Sequence, residues 1–336
     1  MKAYHLTGQT GLDGLVAVDL AEPKPLAGQV LVRVEAVSLN YRDLMVADGR
    51  YGRVMVPRVP LSDGAGEIVA TGEGVTKWKA GDRVAGTFFQ GWATGPFRRD
   101  AFDSALGGAL DGMLAEHVAL SEDGVVAIPP HLNYEEAATL PCAALTAWQA
   151  LVTRGNVSAD ETVLLLGTGG VSIFALQFAK MHGARVIITS SSDEKLARAR
   201  ALGADEGINY GATPDWEKEA FRLTGKAGAD HVVEVGGAGT FTRSLRALAP
   251  GGTISVVGGV SGFTTDVPLI EIIGKMAVVR GICVGNRDMF EAMNRALSLH
   301  RTRPAIDRVF SFAEAAGAYR YLQSGSHFGK VVISLR

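Results

Sequence analysis

The sequence predicts an α/β protein: a doubly wound parallel sheet joined to a compact, barrel-like all-β unit. Three observations carry this prediction. From residue 162 onward, short apolar strands alternate with helical patterns across short connections, as successive βαβ units do. Ahead of them, β-branched runs are separated by Gly and Asp clusters, as in a small β unit. A glycine-rich turn joins a continuous apolar run to a helical pattern. The 336 residues suffice for about two domains at roughly 150 residues each.

In the first third, Val30–Val37 mixes a β-branched run with partial alternation, the pattern of a half-buried strand. Shorter strands are expected at Glu67–Ala70, Asp82–Ala85 and Glu116–Leu120. The segment 88–112 has no clear period but carries Phe88, Phe89, Trp92, Phe97 and Phe102. It reads either as a surface excursion with its own apolar cluster or as a substrate lid. Asn133 with Glu135 and Glu136 reads as a helix start, and Pro141 as a break or kink.

Thr162–Leu166 is a continuous apolar run, as in a strand buried on both faces. A helix follows over Val171–His182, ended by Gly183. Ala184–Thr189 is the next strand, and Asp193 can cap a helix over Glu194–Leu202. Ile208–Tyr210 is a short strand, and Thr213-Pro214 opens a helix with proline at its first position. Strands at His231–Val235 and Thr253–Val257 flank a helix at Phe241–Leu248. A short helix near Ile270, a strand at Ala277–Val284 and a helix at Asp288–Leu299 follow. The tail has a strand at Arg308–Phe310, a helix at Ala313–Leu322 and a final strand at Lys330–Leu335 that returns to the first domain.

Composition excludes several classes. Lys and Arg total 33 against 35 Asp and Glu, which argues against nucleic acid and against a polybasic membrane contact. Two cysteines, Cys142 and Cys283, exclude a disulfide framework and a Cys-rich zinc module. The seven histidines show no ligand spacing. No apolar run approaches a membrane span, and no signal segment opens the chain. The expectation is a soluble, cytoplasmic protein with a small-molecule substrate. Forty-two glycines are well above the usual ~7% and predict many tight turns.

The turn Gly167-Thr168-Gly169-Gly170-Val171-Ser172 lies where a dinucleotide fingerprint needs it, after a strand and before a helix. Gly167 permits the sharp turn. Gly169 lets the backbone approach a pyrophosphate, which the helix N-terminus favours. Ser172 replaces the third glycine and is still small. About 20 residues on, where NAD enzymes carry an acid for the ribose, stand Ser190 and Ser191. Hydroxyls can donate to a 2′-phosphate that an acid would repel, and Lys195 can add a charge. NADPH is therefore preferred over NADH. The bland alternative is that these serines merely cap the next helix.

Four motifs carry a family resemblance: Ser62-Asp63-Gly64-Ala65-Gly66-Glu67-Ile68-Val69, Gly72-Glu73-Gly74-Val75, Gly81-Asp82-Arg83-Val84 and Gly329-Lys330-Val331-Val332. The chain resembles the medium-chain dehydrogenase/reductase superfamily from end to end. This implies a GroES-like β domain from residues 1–127 and 296–336, and a Rossmann-type dinucleotide-binding domain over 128–295. At the three catalytic metal-ligand positions of the zinc alcohol dehydrogenases stand Asn40, Ser62 and Cys142. One thiolate cannot build a tetrahedral zinc site, and the aromatic segment replaces the structural zinc loop. The sequence resembles the zinc-free branch instead, with its quinone oxidoreductases and enoyl reductases. That branch implies NADPH contacts at Lys195 and Tyr210. The branch often carries a tyrosine shortly after Asn40, where Met45 and Val46 stand here.

Hydride transfer to an enone, alkenal or enoyl thioester generates an enolate that needs a donor. Asn40, Arg42 and Asp43 are the candidates, although Arg42 and Asp43 read equally well as an ion pair supporting a turn. Further cofactor contacts are expected at Thr146, Gly170, Val171, Phe328 and Lys330. Gly258, Gly259, Cys283 and Val284 follow late strands, where a nicotinamide should lie. Two other readings stay open: an alcohol or carbonyl oxidoreductase, and a non-catalytic NADPH-binding protein. Family habit and the strand at Ala277–Val284 suggest a homodimer.

Overall fold

A computed structural model describes residues 1–52 and 54–336. The chain forms two compact units, Met1–Leu145 with Val284–Arg336, and Thr146–Cys283. The sequence reading divides the chain after residues 127 and 295 instead. The segments in dispute are tied to the first unit: Cys142 N donates to Asp63 Oδ2 at 3.2 Å, and Asn294 Nδ2 to Ala127 O at 2.9 Å.

Among the described residues the strands are β1 (Lys2–Leu6), β2 (Leu15–Asp19), β3 (Gln29–Leu39), β4 (Asp63–Thr71), β5 (Arg83–Gly86), β6 (His117–Ser121), β7 (Val125–Ala127), β8 (Thr162–Leu165), β9 (Arg185–Ser190), β10 (Glu206–Asn209), β11 (Ala229–Glu234), β12 (Leu248–Val256), β13 (Val278–Gly281), β14 (Ile306–Ser311) and β15 (Lys330–Ser334).

In the first unit β3 is the spine. It pairs antiparallel with β4, with β6 along its first half and with β15 along its second. Val331 lies opposite Leu39 and Ser334 opposite Ala36, so the last strand does return to the first sheet. Most of β3 is buried, because both faces are covered. This is why its sequence alternates only in part. Val30, Val32, Val37 and Leu39 pack in one core with Ile68, Met113, Tyr319 and Ile333.

The antiparallel pair β1–β2 and the short strand β7 escape the sequence reading. So does a helix at Tyr41–Ala47, whose residues Arg42 to Ala47 are all buried. A helix covered on nearly every side shows no apolar stripe to detect. The aromatic segment is an internally packed lobe. Phe89 has the rings of Phe88, Trp92, Phe97 and Phe102 within 4.6–6.0 Å, mostly edge-on, a geometry that aromatic quadrupoles favour.

The second unit is the doubly wound sheet, all parallel, in the order β10-β9-β8-β11-β12-β13. Strand order reverses between β8 and β11, the switch point at which such sheets bind ligands beyond their carboxyl ends. Two local expectations are corrected here. Ser192, not Asp193, caps the helix Asp193–Ala201, its side chain accepting from Lys195 N at 3.3 Å. The next helix starts at Trp216, after Pro214. Asn209 still closes a turn there, accepting Thr213 N at 2.7 Å and Gly211 N at 2.9 Å. Around Pro141 the α-helix is interrupted, as expected: Tyr134–Ala137 ends before it, Leu140–Ala144 is a π-type segment, and the α-helix resumes at Leu145–Trp148. No helix among the described residues is long and apolar enough to cross a membrane.

Candidate functional site

The fingerprint turn takes the predicted form. Gly167 adopts φ +72°, a left-handed conformation that costs glycine nothing. Gly169 is the N-cap of the helix Gly170–Met181, whose first turn carries no acid. Its first N–H groups have no side-chain acceptor and face the site with the positive end of the helix dipole. Two hydroxyls brace the turn: Ser172 Oγ donates to Leu166 O at 2.7 Å, and Thr189 Oγ1 accepts Gly167 N at 3.1 Å.

At the end of β9, Ser190 is buried and its Oγ accepts Ser192 N at 3.2 Å. Tyr210 N donates to Ser190 O at 3.0 Å, so parallel pairing brings the half-exposed Tyr210 beside Ser190. Lys195 lies in the first turn of the helix that Ser192 caps. Across the switch point, Gly258 and Gly259 follow β12 and pack on the loop after β11. A Cβ on Gly237 would come within 2.5 Å of Gly259 Cα. Sequence reasoning missed the residue that orders this loop. Glu234 is fully buried, and its Oε1 accepts Gly236 N at 2.8 Å, Gly237 N at 2.9 Å and Thr240 Oγ1 at 2.6 Å. Ser244 Oγ donates to its other oxygen. An acid ending a valine run just before Gly236-Gly237 is the signal that could have found it. Thr146 is buried in the helix Leu145–Trp148. Burial pushes the Cys283 thiol up to about 11, so it stays neutral. These groups fit a dinucleotide: helix N–H groups without a side-chain cap for the pyrophosphate, hydroxyls and a lysine at the ribose end.

In the first unit, the loop between β3 and the helix Tyr41–Ala47 holds a buried polar cluster. Asn40 N donates to Asp43 Oδ2 at 2.8 Å. Arg42 Nη1 donates to Asp43 Oδ1 at 3.0 Å and to Leu106 O and Gly107 O at 3.1 Å. Its guanidinium lies over the Tyr51 and Phe88 rings at 4.5 and 5.2 Å. Burial raises the Asp43 pKa, with Arg42 opposing.

Lys330, at the start of β15, is also buried here. Its Nζ donates to Leu39 O at 2.6 Å and Asn40 Oδ1 at 2.5 Å, and lies 4.0 Å from Asp63 Oδ2. Burial lowers the Lys330 pKa and raises that of Asp63, each opposed by the other's charge, with the Asn40 amide also easing the charge on Asp63. Asn40 Nδ2 is nonetheless buried without a well-formed hydrogen bond. Phe328 is buried just before this strand. Val284 takes φ +51°, a costly conformation for a β-branched residue.

The family's three zinc-ligand positions do not fit a metal. Asn40 Oδ1 is bonded to an ammonium, and Ser62 Oγ donates to Asp63 Oδ1 at 2.7 Å. Cys142 is the one thiol of the three positions, and a single thiolate cannot build a tetrahedral site. Among the described residues, no group of three or more His, Cys, Asp or Glu could hold a metal ion.

Comparison with known proteins agrees with this architecture. Residues 26–130 match the alcohol dehydrogenase GroES-like domain family, and residues 170–298 the zinc-binding dehydrogenase family. A zinc-type alcohol dehydrogenase-like protein of Schizosaccharomyces pombe is 43% identical over 97% of this chain and 96% of its own length. The acryloyl-coenzyme A reductase of Metallosphaera sedula is 29% identical, covering 99% and 100%. The 2-methylene-furan-3-one reductase of Solanum lycopersicum is 32% identical, covering 99% and 79%. Among solved structures, an NAD-dependent alcohol dehydrogenase superposes with a TM-score of 0.92 at 35% identity over all of both chains. With a GroES-like unit formed from both chain ends and a dinucleotide-type sheet between them, the chain belongs to the medium-chain dehydrogenase/reductase superfamily, and it is an oxidoreductase dependent on a nicotinamide dinucleotide.

Proposed function

We propose that this protein is a metal-independent, NADPH-dependent reductase of an activated C=C bond in an enone, alkenal or enoyl substrate, with quinones as further acceptors. The observation that carries this reading is Asn40: a buried amide whose oxygen is bonded to Lys330 and whose Nδ2 lacks a well-formed bond. A buried donor held only loosely, by the Asp63 carboxylate, has capacity for a better-placed partner, and a substrate carbonyl oxygen that gains charge during reduction is one. The bound nicotinamide supplies the hydride. The chain's own residues do the rest. The turn Gly167–Val171 holds the pyrophosphate, Ser190, Ser191, Lys195 and Tyr210 hold the 2′-phosphate end, and Gly258, Gly259 and Thr146 support the nicotinamide. Asn40 donates to the developing enolate oxygen. Arg42 and Asp43 act through position: they pair with each other, Asp43 holds Asn40 N, and Arg42 Nη1 holds the carbonyl oxygens of Leu106 and Gly107, with Nε and Nη2 buried beside them.

The reductase names of two relatives support this reading. The alcohol dehydrogenase names of others favour a second one, carbonyl reduction, and the NAD-dependent neighbour makes NADH the cofactor to compare. The test is product analysis with NADPH and a 2-alkenal in the presence of a chelator. The expected product is the saturated aldehyde, formed faster with NADPH than with NADH and undiminished by the chelator. An allylic alcohol, or turnover abolished by chelation, would establish the second reading.

We also propose a homodimer formed through the free edge of β13 and the helix Leu269–Lys275. Leu269, Ile270, Ile273 and Met276 are each about 70% exposed, with Phe263 nearby in sequence equally so. Such a concentration of exposed apolar side chains beside an unpaired strand edge favours a second copy.

A further inference from the structure

Lys330 is 2% exposed, donates to two fixed acceptors, Leu39 O at 2.6 Å and Asn40 Oδ1 at 2.5 Å, and lies 4.0 Å from Asp63 Oδ2. An ammonium has three donors and no acceptor. Only the carbonyl end of the Asn40 amide can therefore face it, whichever way the amide is drawn. The NH2 end lies on the other side, where it eases the charge on Asp63 without making a well-formed hydrogen bond. We propose that Lys330 is a positioning residue: it fixes which end of the Asn40 amide meets the acceptor, and it is the cation bonded to that amide.

The charge count supports the assignment. The cluster holds two carboxylates, Asp43 and Asp63, and two cations, Arg42 and Lys330. Arg42 Nη1 is spent on Asp43 and on two carbonyl oxygens of the chain at Leu106 and Gly107. Lys330 is the cation bonded to Asn40 itself. A cation at the amide oxygen draws electron density from the nitrogen and strengthens its N–H groups as donors. The inference rests on the reading that Asn40 donates to a developing enolate. It departs from the cofactor contact that the resemblance implies for Lys330.

Kinetics of the full-length protein test it, with the 2-alkenal as acceptor. Lys330→Met should lower kcat roughly 100-fold, the scale of one lost oxyanion donor. Its NADPH dissociation constant, read from nicotinamide fluorescence, should stay within about twofold of wild type, because no cofactor contact is lost. Lys330→Arg, which keeps a donor-only cation, should recover part of the loss. Asn40→Asp keeps the Lys330 contact but has no N–H, and should lose as much as Lys330→Met. The proposal is overturned if Lys330→Met binds NADPH tenfold or more weakly while kcat at saturating cofactor is intact, or if Asn40→Asp retains full kcat. If Lys330→Met does not fold, Lys330→Arg and Asn40→Asp decide in the same way. If the wild-type protein reduces no activated C=C bond, it is the reading of function that fails. A stability cycle of Lys330→Met, Asn40→Leu and the double variant then judges the anchoring alone: a double loss smaller than the sum supports it, and strict additivity overturns it.

Discussion

At Asn40 one side chain meets a donor-only cation at one end and lacks a good acceptor at the other. A buried N–H left without any partner costs about 1–3 kcal/mol, and the loose contact with Asp63 offsets only part of that at Asn40. Asn40→Ala is expected to cut turnover roughly 100-fold while leaving NADPH binding unchanged. Full turnover in that variant would remove Asn40 from the chemistry. Asp63 is the residue at this scale that sequence reasoning passed over. It stands in the quoted motif beside Ser62, yet only the fold shows its carboxylate taking Ser62 Oγ and Cys142 N and facing Lys330. Those four positions are scattered over most of the chain, and no spacing rule connects them.

Among the elements, the strand–turn–helix from Thr162 to Met181 was the most legible. Its apolar run, its glycines and its helix period all point the same way. Start positions were less so. The helix Asp193–Ala201 is capped by Ser192 rather than Asp193, because both can cap and only backbone geometry selects between them. Glu234 shows how an element end can be built around one buried acid. Its carboxylate gathers two backbone N–H groups and two hydroxyls from the turn after β11. Glu234→Ala should lower stability by about 2–3 kcal/mol, since charge-assisted bonds of this kind are among the stronger ones. It should also weaken NADPH binding by loosening the packing of Gly237 on Gly259. Urea unfolding and nicotinamide fluorescence would check the two effects; unchanged values for both would refute the role.

For the whole molecule, β15 is the decisive strand. It belongs by sequence to the chain's last few residues and by pairing to β3, so the first unit closes only when the C-terminus returns. Truncation before Lys330 would remove both that pairing and the ammonium bonded to Asn40. The exposed apolar side chains of Leu269–Lys275 belong to this scale as well. Ile273→Asp is expected to leave the fold intact, by circular dichroism, and to halve the mass measured in solution by light scattering. An unchanged mass would dismiss this face as the contact between copies.

The two-part architecture, the dinucleotide turn and the poor metal-ligand set were determined by the sequence itself. Each rests on local pattern or on residue type at a motif: strand and helix periods, Gly167 and Gly169 between them, and Asn40, Ser62 and Cys142 where a zinc site needs soft or imidazole ligands. Tertiary structure alone decided which polar groups meet. The pairing of Lys330 with Asn40, the burial of Arg42 between Tyr51 and Phe88, and the gathering of the turn around Glu234 depend on long-range strand pairing and packing. A donor's role is set by the acceptors that folding brings within about 3 Å of it, and residues far apart in the chain carry no local signal of that approach.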